Sequence, residues 1–316
     1  MRHRMDGARV AGHGLYSLRL GRTSGYWAAL LLLFVCVRPL SADAPAQFNG
    51  QQALDYTRAI VSFGERVPGS PAHRRTEEYI LSELKKDGAS VESDRFTAQT
   101  PRGPLPMNNI IARFGPPGQP IILLAGHYDT KFLPGFVGAN DGGSSTGVLL
   151  EIANVLHKAP PKFDVWLLFL DGEEAVKDWT ATDSVYGSRH LAQKLAQEGL
   201  LPKIRGLILA DMIGDKDLDI AKEMNSTPWL RDFVATAARE TGYSRYFFQQ
   251  EMYVEDDHQP FLHVGIPSVD LIDFTYGGPT NPYWHNRKDT MDKLSAHSFQ
   301  VVGSVMLKTV ELLERQ

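Results

Sequence analysis

The chain has 316 residues, of which 43% are hydrophobic, and carries a formal net charge of −4. That is enough apolar material for one large core or two modest ones. The acidic balance argues against a partner read through phosphates, so no nucleic-acid role is expected.

Residues 1–44 differ from the rest. Arg2, Arg4, Arg9, Arg19, Arg22 and Arg38 outweigh Asp6 and Asp43, an unbroken apolar run covers Trp27–Val37, and Ala42-Asp43-Ala44 follows. Basic start, apolar middle and small-residue exit predict a secretory signal peptide. The run is shorter than the roughly 20 apolar residues of a spanning helix. The long basic lead leaves two alternatives open, a start at Met5 or an uncleaved signal anchor. Without this segment 27 basic residues face 35 acidic ones, a net charge of −8, and the only cysteine, Cys36, is gone. The mature domain would therefore contain neither disulfide nor thiol chemistry, although it is expected to work outside the cytoplasm, secreted or periplasmic, or else membrane-anchored in a secretory compartment.

From residue 45 to 316 no linker, repeat or low-complexity tract interrupts the chain, which predicts a single domain. Apolar spacing predicts helices over 51–63 and 71–86. Strands are expected at 91–96 and 109–114, joined by a loop bearing Pro and Gly. A strongly apolar strand follows at 121–126, a helix at 144–157 after Gly142-Gly143, a buried strand ending at Leu170, and a helix at 186–197. A strand at 206–210, a helix at 228–240, a strand at 268–272 and a helix at 295–314 complete the order. Strands alternating with helices predict helices on both faces of a mostly parallel sheet. Right-handed crossovers then bring several strand ends to one edge, where ligands of such sheets bind.

Polar residues recur at those ends: His127-Tyr128-Asp129, Asp141 in Gly138-Ala139-Asn140-Asp141-Gly142-Gly143, Asp171-Gly172-Glu173-Glu174, Asp211, Asp256-Asp257-His258 and His285. Each has an ordinary reading. Asp141 could cap a helix, His127 could be a satisfied core histidine, Asp211 could cap a turn with Gly214, and the two glutamates could sit on a solvated loop. His157, His190, His263 and His297 lie on helical stretches without acidic company and are expected to be ordinary. Together, however, imidazoles and carboxylates make a typical zinc ligand set with an open position. Asp129, two residues beyond His127, suits an outer partner that orients the imidazole. Neighbouring glutamates point in opposite directions, so one can hold a metal while the other handles protons.

The stretches Ala125-Gly126-His127-Tyr128-Asp129-Thr130-Lys131, Phe136-Val137-Gly138-Ala139-Asn140-Asp141, Phe169-Leu170-Asp171-Gly172-Glu173-Glu174-Ala175, Asp183-Ser184-Val185-Tyr186-Gly187-Ser188-Arg189-His190-Leu191 and Leu209-Ala210-Asp211-Met212-Ile213-Gly214 resemble the zinc aminopeptidase superfamily. Trp179, Glu255-Asp256-Asp257-His258-Gln259-Pro260-Phe261-Leu262 and Trp284-His285 narrow the resemblance to its glutaminyl cyclase branch. It covers essentially all of 45–316. The resemblance implies a three-layer α/β/α sandwich around a mixed, mostly parallel central sheet. It implies one Zn2+ held by Asp141, Glu174 and His285, with Glu173 as general acid/base and Asp211 and Asp257 as a carboxyl network beside it. Trp179 and Trp284 would line the substrate pocket, and His127 and Asp129 would be outer partners or second-metal ligands. The disulfide of animal secretory members cannot form here, because no cysteine lies near the site.

The implied reaction converts the amino-terminal glutamine, or alternatively glutamate, of peptides and proteins into pyroglutamate, releasing ammonia from glutamine. The principal alternative is a two-zinc aminopeptidase, with His127, Asp141, Glu174, Asp211 and His285 all available as ligands. A non-enzymatic binding domain ranks lower, because every acidic ligand position is filled. Asn225-Ser226-Thr227 is a glycosylation sequon if the host modifies secreted proteins.

Overall fold

Strand β3 (Ile121–His127) shows how the centre of the molecule is built. Ile122 and Leu124 enter one hydrophobic core, while Ile121, Leu123 and Ala125 enter another on the opposite face. The same alternation holds along β4 (Asp164–Leu170), where Val165, Leu167 and Phe169 face the first core and Trp166, Leu168 and Leu170 the second. A strand covered on both faces has no need of polar alternation, and this is why these runs read as continuously apolar.

The computed structural model describes residues 47–316 together with Gly14, Leu15, Ser17 and Gly21. Apart from those four, the predicted leader lies outside the described residues. From Gln47 onward the described residues belong to one compact unit. Among the described residues no helix is long and apolar enough to cross a membrane.

Helices α1 (Gly50–Val61) and α2 (Pro71–Lys86) open the unit. Asn49 caps the first by accepting from the Gln51 and Gln52 amides, and Ser70 caps the second by accepting from the His73 amide, with Pro71 just inside. Such caps satisfy amides that the helix leaves free. Strands β1 (Ser90–Thr100) and β2 (Gly103–Phe114) form a hairpin closed by Pro101-Arg102. Both strands run further than the sequence predicts. Pro104 and Pro106, which read as loop residues, lie on β2 outside the Ile110–Phe114 stretch that pairs with β4, so no bond between those two strands is lost to them.

Helix α3 (Gly143–Lys158) joins β3 to β4, and after β4 come α4 (Tyr186–Gln197), β5 (Ile204–Asp211), β6 (Ile220–Glu223), α5 (Pro228–Glu240), β7 (Phe247–Met252), α6 (His258–His263), β8 (Ser268–Ile272) and α7 (Ala296–Leu313). The main sheet runs β1-β2-β4-β3-β5-β8. Its β4, β3, β5 and β8 are parallel, whereas β2 pairs antiparallel with both neighbours. Residues of α1, α3, α5 and α7 share the first core, and residues of α4 and α6 the second. The architecture is the expected three-layer α/β/α sandwich on a mixed, mostly parallel sheet. A second, two-stranded sheet of β6 and β7 was not expected. Its strands are four and six residues long, and β7 is largely exposed, so neither shows the apolar run that reveals the central strands.

Candidate active site

Four parallel strands end on one edge, and polar groups gather at or just beyond those ends. His127 closes β3, Asp211 closes β5, Ile272 closes β8, and β4 passes into Asp171-Gly172-Glu173-Glu174. Gly172 takes φ +70, and a Cβ there would meet Met107 Sδ at 2.5 Å, so this turn requires glycine. Asp129 then fixes the two glutamates from behind. Its Oδ1 accepts from the Glu173 amide at 3.1 Å and its Oδ2 from the Glu174 amide at 3.4 Å. Glu173 and Glu174 are 7% and 2% exposed, which rules out a solvated loop. Asp171 is anchored separately, accepting from the Asn108 amide at 2.7 Å and facing His73 Nε2 at 2.8 Å.

Asp141 does not cap α3. The cap residue is Gly142, with no side-chain capping bond, and the Asp141 carboxylate lies between two histidines instead. Its Oδ1 is 3.2 Å from His127 Nε2 and its Oδ2 is 3.4 Å from His285 Nε2. His285 Nε2 is also 3.2 Å from Glu174 Oε1. Donor atoms of Asp141, Glu174 and His285 lie within 4.8 Å of one another. Asp141 Oδ2 and Glu174 Oε1 are buried without a hydrogen-bond partner among the described residues. Orphaned carboxylate oxygens converging on an imidazole fit a divalent cation such as zinc. His285 holds φ +51, a strained conformation for a non-glycine residue, and such strain collects at functional sites.

A second donor set, His127, Asp141 and Asp211, shares Asp141 with the first. His127 Nε2 is 3.1 Å from Asp211 Oδ1, and its Nδ1 is 3.4 Å from Asp129 Oδ1. Lys131 Nζ donates to Glu174 Oε2 at 3.2 Å. The remaining histidines are not all as expected. His190 stacks on Phe96 at 4.2 Å and lies 3.4 Å from Asp94, so it does have acidic company, away from the site.

A cavity of about 230 Å³ opens onto these groups, with Asp141, Glu173, Asp211 and His285 on its walls. Trp179 and Trp284 also line it and are 37% and 38% exposed, so neither is a core-packing residue. Trp284 stacks on His285 with ring centroids 4.0 Å apart and meets Phe274 edge-on at 4.9 Å. Trp179 Nε1 donates to Glu255 Oε2 at 3.0 Å. The carboxyl expected from Asp257 comes from its neighbour: Asp256 lines the cavity. Asp257 does not line the cavity but stays close enough for its charge to act on Glu173 and Asp256, and it accepts from Ser188 Oγ at 2.5 Å. Adjacent side chains diverge, and nothing in the Asp-Asp pair itself says which one faces inward. Tyr253, Val254 and Phe274 also line the cavity unanticipated. Phe274 alone had a usable signal, its place two residues beyond the end of β8.

The two glutamates differ sharply in acidity. Burial pushes Glu173 well above the usual carboxylate range, helped by the charges of Glu174, Asp256 and Asp257 and opposed by His127. Burial acts on Glu174 in the same direction, but the hydrogen bond and charge of His285, with Lys131 and His127, bring it down to about 2. Burial, together with Asp211 and Asp257, raises Asp256 well above its ordinary value. One glutamate is thus suited to carry a proton and its neighbour to remain a charged donor.

The model of peptidase family M28 matches residues 109–310. Glutaminyl-peptide cyclotransferase of Drosophila melanogaster is 34% identical over 252 residues, covering 71% of this chain and 70% of the relative. The chain belongs to family M28 and, within it, to the glutaminyl-peptide cyclotransferases. A crystal structure of an Acidobacteriales bacterium glutaminyl cyclase is 46% identical, with a TM-score of 0.82, covering 88% of this chain and 99% of that one. A Zn-dependent exopeptidase from Parabacteroides distasonis is 29% identical, with a TM-score of 0.77, covering 86% and 100%. Membership in the cyclotransferase family makes the chain an enzyme, and the converging donors give it a candidate metal site.

Proposed function

We propose that the chain is a glutaminyl-peptide cyclotransferase, closing the amino-terminal glutamine of a peptide or protein into a pyroglutamyl ring. Amino-terminal glutamate is the weaker candidate substrate. One zinc ion is assigned to Asp141, Glu174 and His285. The observation that carries the reading is a buried Glu173 of raised proton affinity facing a small cavity between two tryptophans, beside an unpartnered donor set.

The α-amine attacks the side-chain amide carbon; the new N–C bond closes the ring and the C–NH2 bond breaks. Zinc, when bound, supplies Lewis acidity toward the amide carbonyl. Glu173 takes the proton from the attacking amine and returns it to the leaving nitrogen, which departs as ammonia. Proton transfer of this kind contributes ~10²–10⁴-fold. Asp256 and Asp257 add like charge that keeps its proton affinity high, and Asp211 in turn raises Asp256, so the three form a carboxyl network beside it. Trp179 and Trp284 hold the short substrate in the folded shape that brings amine and amide together. His127 and Asp129 hold the surrounding carboxylates and backbone in place. Residues 45–316 act as one catalytic domain behind a signal segment at 1–44, which places the enzyme outside the cytoplasm or anchored in a secretory compartment.

The shared Asp141 and the second donor set support the alternative, a two-zinc aminopeptidase. One experiment separates the two readings. The purified domain with zinc is incubated with a peptide beginning in glutamine and another beginning in leucine, and products are read by mass spectrometry. Loss of ammonia from the first alone supports the cyclotransferase. Release of free amino acids from either peptide replaces it with the aminopeptidase, and no change in either favours a binding domain.

A further inference from the structure

Asp141 and His285 come from segments far apart in sequence, one before α3 and one after β8, yet their side chains meet at 3.4 Å. Nothing in the two ligands themselves fixes that distance. The link is Asp289, four residues beyond His285 and fully buried. Its Oδ1 accepts from the Asn140 amide at 2.8 Å, and its Oδ2 accepts from the Asp141 amide at 3.1 Å. Tyr276 Oη donates to the same Oδ1 at 2.7 Å and sets the rotation of the carboxylate. The Asp289 amide in turn donates to the Asn286 carbonyl at 3.2 Å, tying it into the turn that starts from His285. On the far side, the buried Arg66 guanidinium donates to the carbonyls of Tyr128, Val137, Gly138 and Asp141. The loop ending in Asp141 is therefore gripped by its carbonyls from Arg66 and by its amides from Asp289. Only the second grip belongs to the segment that carries His285.

We propose that Asp289 is a positioning residue for the metal centre: its carboxylate locks the Asp141 loop to the His285 turn and so sets the separation of two donors before any ion binds. This rests on the zinc assignment to Asp141, Glu174 and His285. Groups that orient metal ligands from outside typically account for roughly 10–100-fold in metal affinity. The Asp289 carboxylate bonds to the Asn140 and Asp141 amides and to Tyr276 Oη, so its influence is exerted through the backbone of Asp141.

The test is zinc affinity, measured on the metal-free mature domain by competition with a chelating indicator, alongside the melting temperature of the metal-free protein. In Asp289→Asn, whichever way the amide turns, one of the Asn140 and Asp141 amides loses its acceptor. The expected result is zinc binding weakened roughly 10–100-fold. A lowered melting temperature with zinc affinity within twofold of the parent would make Asp289 merely structural and overturn the proposal. If Asp289→Asn does not fold, Tyr276→Phe decides: it frees the carboxylate to rotate while keeping both acceptors. A loss of about fivefold in zinc affinity, the size of one ordinary hydrogen bond, is then expected, and no change overturns the proposal. A parent domain that takes up no zinc removes the metal assignment itself, an outcome distinguishable from an unchanged variant.

Discussion

At the floor of the cavity Glu173 is buried next to Glu174, and both their amides are held by the Asp129 carboxylate, while the Asp141 amide is held by Asp289. At the rim Trp179 is 37% exposed, with its indole N–H bonded to the exposed Glu255, and Tyr253 is 74% exposed. Charged donors at the floor must be preorganised, because a misplaced buried carboxylate costs more than it contributes. The rim meets peptides whose later residues vary, so aromatic surface that can adjust serves it better. The contrast predicts that floor substitutions remove turnover and rim substitutions weaken substrate binding.

The largest effect should come from removing the metal. Dialysis against a strong chelator is expected to abolish cyclisation, and titration with zinc to restore it fully at one equivalent per chain. Recovery that requires two equivalents would favour the aminopeptidase reading. Next comes Glu173→Gln, expected to lower kcat by ~10²–10⁴-fold with zinc still bound; substantial residual turnover would remove Glu173 from its role.

Trp284 tests the boundary, since it belongs to the rim yet stacks on His285. Trp284→Ala should lower kcat/KM by roughly tenfold, equivalent to ~1.4 kcal/mol, and should affect KM more than kcat. A change in kcat alone would place Trp284 with the floor. Tyr253→Ala should have the smallest effect, within about twofold in kcat/KM, as for most substitutions of exposed side chains.

Acid should separate the two regions in another way. Glu223 on β6 stands 3.2 Å from His258 Nε2 and accepts from the Val254 amide at 3.4 Å, so it anchors the segment that carries the rim. Burial would raise this carboxyl, but His258 and the hydrogen bonds from Asn225 and Ser226 hold it down at about 2. A depressed carboxylate stabilises the fold fully above its unfolded value near ~4.3 and loses that contribution as pH falls toward 2. The melting temperature of the parent should therefore fall over this window, and that of Glu223→Gln should fall less. Equal slopes would mean that other carboxylates dominate.

The central strands were legible because burial on both faces leaves a plain apolar signature, as in Val165–Leu170. β6 and β7 were not, because β6 is only four residues long and β7 is largely exposed, so neither leaves an apolar run. The site candidates Asp141, Glu173, Glu174, Asp211 and His285 could be picked out by residue type just beyond strands or before a helix. Asp289 could not, since an aspartate that accepts only backbone amides has no local pattern to mark it.

By itself the sequence determined which side chains could hold a metal, which strands would be buried and on which edge of the sheet the site would form, because side-chain chemistry and apolar periodicity are local properties. Only the tertiary structure decided that Asp141 would stand between His127 and His285, that Asp256 would face the cavity while Asp257 turned to Ser188, and that a positive φ would aim His285 at its partners. Those outcomes depend on how segments far apart in sequence are brought together and on backbone angles that packing imposes, and neither is written in any short stretch of residues.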